Sequence, residues 1–138
     1  RQLEKSILVK NNNKSYVPII GSMKSSSKKI KILLENSLYA PIELEFTIWL
    51  WGNICFIFLN AEVLSGYIFQ DIDNLNIINV GYTNGMFGYL PTTKDILDGG
   101  YEVDKSRKYF GIKKRIHKNN EKKIRSEIIA EIQLLINK

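Results

Sequence analysis

Residues 42–59 constrain this chain more than any other stretch. Ile42, Leu44, Phe46, Ile48 and Leu50 alternate with Glu43, Glu45, Thr47, Trp49 and Trp51. A period of two is that of a strand with one face in a core, and here the other face is partly aromatic. Gly52-Asn53 supplies a turn that tolerates positive φ. "ICFIFL" then returns as a second strand. It is apolar on both faces, which predicts a central place in the sheet.

The remaining elements are read around this hairpin. "NIINVGY" predicts a third strand. "SSSKKIKILLENSLY" predicts a helix, with Ile30, Leu33, Leu34 and Leu38 at helical spacing, Ser26 or Ser27 as cap, and an end near Pro41. "EVLSGYIFQDI" predicts a short helix with Val63, Leu64, Tyr67 and Ile68 on one side. Thr92 or Thr93 caps "KDIL", Asp95 completes a capping box with Thr92, and Gly99-Gly100 stops that helix. "NNEKKIRSEIIAEIQLLINK" is a long C-terminal helix, with Ile124, Ile128, Ile132 and Leu135 as its apolar stripe and Asn119 or Asn120 as cap. Near the start, "QLEKSILVK" fits the end of a helix. "SYVPIIG" reads as extended, because Pro18 steers Val17 away from helical angles. The expected class is α+β, mixed α/β layers: a small mixed β-sheet with a hairpin, flanked by helices.

The 138 residues suit a single domain or fragment. At this size a chain buries roughly two-thirds of its unfolded surface. The first residue, Arg1, is expected to belong to a processed chain or to a piece of a longer one. "RQLEKSILVKNNN" holds no apolar run of the kind a leader carries. The apolar stretch from Phe46 to Ala61 is interrupted by Thr47, Gly52, Asn53 and Asn60, too often to span a bilayer. These features leave localisation open. Cys55 is the lone cysteine, so neither an internal disulfide nor a cysteine-based zinc site can form. Between Ile54 and Phe56 it is expected to be a buried, inert thiol.

Net charge is +6. The excess concentrates in Lys105–Arg125, where ten Lys and Arg face one acid, Glu121. A solvated face is the ordinary reading in a chain rich in Ile, Lys and Asn. The alternative is a non-catalytic binding module whose 105–125 segment meets an anionic membrane or nucleic acid. His117 is the one histidine, and without a second His or a suitable Cys it builds no zinc site within this chain. No P-loop, dinucleotide fingerprint or Ser/His/Asp order is present.

"GYTNGMFGYLPTTKDILDGGYE", residues 81–102, crowds glycines and tyrosines between strand and helix. Glu62 follows an almost wholly apolar strand, where strand ends of α/β sheets place ligands. It also fits a simple first-turn residue. Tyr89 and Tyr101 flank the Thr-capped helix beside glycine. They fit either core phenols with hydrogen-bonded tips or phenols reaching into a cleft.

"NGMFGYLPT" followed by "GGYE" resembles the late catalytic motif of the neutral/alkaline non-lysosomal ceramidase family, with its N-x-x-x-x-Y-[LV]-x-T pattern, short acidic helix and Y-E pair. "ICFIFLNAEVLSGY" is similar to the family's apolar strand, which ends in a P-G-E step. The resemblance runs from about Ile42 to Glu102. It implies a zinc ion held by two histidines from an earlier part of the catalytic domain, a glutamate matching Glu62 and a tyrosine matching Tyr89. It further implies that Tyr101 orients the substrate amide, with Asn84 also on the substrate side. The implied substrate is a ceramide-like lipid amide, cleaved by a zinc-activated water. Asn60-Ala61 stands here in place of Pro-Gly, and the histidine half of the site is not in these residues. Zinc is thus expected in the full-length protein and none in this chain alone. The expected partners are the lipid amide substrate, the missing N-terminal half and a membrane surface, with nucleic acid disfavoured. Glu62 and Tyr89 are expected to point to one concave surface that exposes apolar side chains, Trp49 or Trp51 among them.

Overall fold

The computed structural model describes residues 8–10, 16–18, 21–69 and 72–138. Its strands are β1 (Leu8–Lys10), β2 (Tyr16–Pro18), β3 (Lys24–Ile32), β4 (Ile42–Trp51), β5 (Ile54–Leu59), β6 (Glu62–Val63), β7 (Asn76–Val80) and β8 (Tyr89–Leu90). Helices α1 (Thr93–Asp98) and α2 (Asn120–Ile136) complete the chain, with a π-helical turn at Tyr101–Lys105 and a 3-10 turn at Ser106–Lys108. The class is α+β, as expected. The central sheet has the order β3-β4-β5-β7 and is mixed: β5 runs antiparallel to β4 but parallel to β7.

The hairpin forms where the alternation placed it. Leu44, Phe46, Ile48 and Leu50 face inward with Cys55, Ile57 and Leu59 of β5. Gly52 turns the chain at φ 57°, which glycine adopts without a side-chain clash. α2 covers this inner face with the expected stripe of Ile124, Ile128, Ile132 and Leu135, each buried. Burying one such side chain is worth about 2 kcal/mol, so this stripe and the sheet face carry most of the core. Polar ties fix α2 along β3: Lys28 Nζ donates to Glu127 at 2.7 Å, and Ser26 Oγ donates to Glu131 at 2.5 Å.

The outer face of the same sheet is aromatic. Trp49 meets Phe58 edge-on with ring centres 4.7 Å apart, Phe56 stacks on Phe58, and Trp49 remains 42% exposed. β5 is central, as expected, but its outer residues are only half-buried.

Three local expectations are corrected. "SSSKKIKI" is strand β3, not helix. Its apolar residues that reach the core, Ile30, Ile32 and Leu34, lie two apart, whereas Leu33 and Leu38 of the supposed helical stripe are exposed. Nine register pairs with β4 satisfy its backbone. The stretch beginning at Glu62 is not a helix either. Glu62–Val63 joins β8, and the turns after it carry carbonyls of Gly66 and Ile68 that accept from Arg125 Nη2 and Nη1, both at 2.8 Å. Gly66 belongs there because a Cβ would lie 2.6 Å from Thr92 Cγ2. Finally, Leu8–Lys10 is a strand paired antiparallel with Tyr16–Pro18, rather than a helix end. The extended reading holds at Tyr16–Pro18. The rest of the N-terminal expectations, with residues 70–71, lie outside the described residues.

Thr92 caps α1 through the full capping box with Asp95, and Gly99 at φ 73° ends it. Asn119 occupies the cap position of α2 without a side-chain bond. Asn120 instead ties the helix start to the chain before it: its Oδ1 accepts from Leu33 N–H at 2.9 Å, and its Nδ2 donates to the Leu33 and His117 carbonyls.

Candidate functional site

β5 and β7 end side by side, and the chain leaving each is held by the other. Tyr82 N–H donates to Ala61 O and Thr83 N–H to Leu59 O, while Phe87 N–H donates to Asn60 O. The approach is close enough that a Cβ on Gly81 would stand 2.8 Å from Ala61 O. Glycine is needed there for room. This clamp brings β8 beside β6 in a parallel pair. Glu62 is the register partner of Tyr89 and Val63 that of Leu90, with Glu62 N–H donating to Gly88 O at 2.9 Å. Register partners in a parallel pair project to the same face. Glu62 and Tyr89 are therefore adjacent, as the motif resemblance implied.

Tyr101 completes the cluster from the other side of α1. Its ring meets that of Tyr89 edge-on, with centres 6.3 Å apart. Two polar contacts set the turn that carries Tyr101. Asp104 accepts from Gly100 N–H at 3.0 Å and pairs with Arg115 at 2.5 Å. The Gly100 amide, followed by the Arg115 guanidinium, holds the Asp104 carboxyl below its ordinary range.

A third phenol, Tyr82, also faces Glu62. Hydrogen bonding to Glu62 is the main reason its pKa is pushed up to about 12. The Tyr89 phenol is raised as well, first by burial and then by hydrogen bonding to the same carboxylate. One carboxylate thus perturbs two neighbouring phenols. Tyr82 adopts φ 60°, an unusual angle for a bulky residue, and its ring is 61% exposed. The sequence reading passed over Tyr82. The available signal was its place directly after Gly81 at the end of a strand, where sheets of this kind present ligand groups. Glu62 and Tyr82 open onto a cleft of about 430 Å3 whose apolar wall includes Val63, Phe69 and Ile77.

Asn84 is placed apart from this cluster. At φ 54° it turns its amide toward the sheet, where Nδ2 donates to Glu45 Oε1 at 2.8 Å. His117 is distant in function too: its Nδ1 accepts from Asn119 N–H at 3.2 Å and its own N–H donates to Leu33 O, so it shapes a turn. It is half-buried rather than fully solvated. Cys55 is buried, and burial pushes its thiol up to about 11. Trp49 is exposed on the outer sheet face, and Trp51 beside it is half-buried.

Chemically, the cluster offers a carboxylate and three phenol oxygens. Among the described residues, no three His, Cys, Asp or Glu side chains gather into a metal-binding group. No helix among them is long and apolar enough to cross a membrane. No family model, curated protein or solved structure matches this chain.

Proposed function

We propose that this chain is the C-terminal portion of a ceramidase-like, zinc-dependent hydrolase of N-acyl amides, with Glu62 and Tyr89 as two of the zinc ligands. The observation that supports this reading is the Glu62–Tyr89 register pair with the Tyr101 ring against Tyr89. These are the residues that the motif resemblance names, and distant segments deliver them to one place. A carboxylate and a phenol suit zinc as oxygen donors, and zinc sites need three or four ligands. The balance falls to the two histidines of a preceding part of the protein. Bound zinc supplies an activated water and a polarised carbonyl.

The chain's own residues have separable tasks. Tyr82 lines the same cleft as the Glu62 carboxylate and is placed to orient it. Tyr101, 51% exposed beside Tyr89, is free to donate its hydroxyl to a substrate amide. Asn84 uses Nδ2 on Glu45, which leaves its Oδ1 for a polar group of the substrate.

The test is hydrolysis of a fluorescent N-acylsphingosine by the whole polypeptide, including its histidine-bearing part. Glu62→Gln and Tyr89→Phe should each lower kcat by more than about a hundredfold, the upper range for losing a residue that only orients a ligand. Full activity in either variant, or no zinc-dependent hydrolysis in the unaltered protein, defeats the reading.

A further inference from the structure

We propose that the tip formed by the 35–40 and 108–113 turns is a docking surface for an anionic lipid bilayer. Leu38 is 88% exposed and Tyr109 80%, and Tyr39 and Phe110 are exposed beside them. The two turns meet, because Tyr39 and Phe110 line one cleft with Phe87, Ile112 and Lys113. Neither turn is loose. Asn36 Oδ1 accepts from Leu38 N–H at 2.9 Å. Arg107 Nη1 donates to the carbonyls of Ile112 and Lys113, and Tyr109, Gly111 and Ile112 each make a backbone bond across the second turn. Gly111 at φ 70° closes it. A braced turn that holds a leucine and a tyrosine in water has the shape of a binding surface.

A basic collar identifies the partner. Lys105, Lys108, Lys113 and Lys114 are exposed, and none pairs with an acid among the described residues. No acid occurs between Lys105 and Lys118. The nearby acids are Glu35, exposed at the base of the first turn, Asp104, which pairs with Arg115, and Glu102, which lines a narrow space with Lys114. Apolar and aromatic residues at an apex ringed by lysine are the pattern of interfacial binding: the rings enter the headgroup layer and the ammonium groups meet anionic lipid. Nucleic acid would use the lysines but has no place for Leu38 at the apex. Docking here would also set the candidate site beside lipid, since Ile112 lines both this cleft and the space containing Tyr89. The docking surface is independent of the zinc reading.

The experiment is co-sedimentation of the 138-residue chain with phosphatidylcholine vesicles, either pure or with phosphatidylserine at about a third of the lipid. Binding is expected only to the anionic vesicles. It should weaken with salt and fall by about tenfold or more in Leu38→Ser/Tyr109→Ser. Both side chains are exposed, so thermal unfolding should not change. Lys108→Glu/Lys113→Glu should lower binding as well. Absent binding, or binding indifferent to Leu38→Ser/Tyr109→Ser, overturns the proposal. So does displacement from vesicles by duplex DNA at matched charge, which would assign the collar to nucleic acid.

Discussion

Glu62 and Tyr89 stand opposite one another in a two-residue parallel ladder, although 26 residues, β7 among them, separate them in sequence. What joins them is the clamp between the ends of β5 and β7. The pairing has consequences for metal binding, for titration and for the packing behind the site.

Zinc should bind the isolated chain weakly. Glu62 and Tyr89 supply two donors, short of the three or four that hold zinc, and Tyr89 is further occupied as a neutral phenol whose pKa is raised. Isothermal titration should show no stoichiometric binding at micromolar zinc. Tight one-to-one binding by the chain alone would mean that the ligand set has been misassigned.

Tyr82 should titrate late, and Glu62 should be the cause. Its folded pKa of about 12 lies above the ordinary phenol value of about 10. A raised value favours the protonated form in the fold. The stabilisation is therefore complete below the ordinary value and is lost as pH rises through about 12. Carbon-labelled tyrosine followed by NMR against pH should show the Tyr82 midpoint moving down toward about 10 in Glu62→Gln. An unmoved midpoint would break the link between the two side chains.

Gly66→Ala should destabilise the chain by about 1–3 kcal/mol, because its Cβ would meet Thr92 Cγ2 at 2.6 Å. Thr92→Ser removes that methyl but keeps the hydroxyl that caps α1. The double variant should therefore recover most of the loss in urea unfolding. If it does not, crowding against Thr92 is not what requires glycine.

On α2, Ile128→Ala should cost about 2–5 kcal/mol, since Ile128 is fully buried against the sheet. Leu134→Ala, at a 56% exposed position, should stay within about 0.5 kcal/mol. Equal losses in a paired denaturation series would contradict the assignment of faces.

Where the determining interactions are local, the sequence was sufficient. Alternation at 42–51, the Gly52-Asn53 turn, the Thr92–Asp95 capping box and the α2 stripe all act within a few residues, and each appears where it was read. Residues 24–32 show the opposite case. Their apolar spacing suits a helix as well as a strand, and the free edge of β4 decides for the strand by pairing along its length. The same holds around the site. Glu62, Tyr89 and Tyr101 could be named from a motif, but their adjacency depends on parallel pairings of β5 with β7 and β6 with β8. Parallel strands need long connections, so no short window of sequence contains both partners. Tyr82 went unread for that reason: only when Gly81 packs against Ala61 does its phenol come round to Glu62.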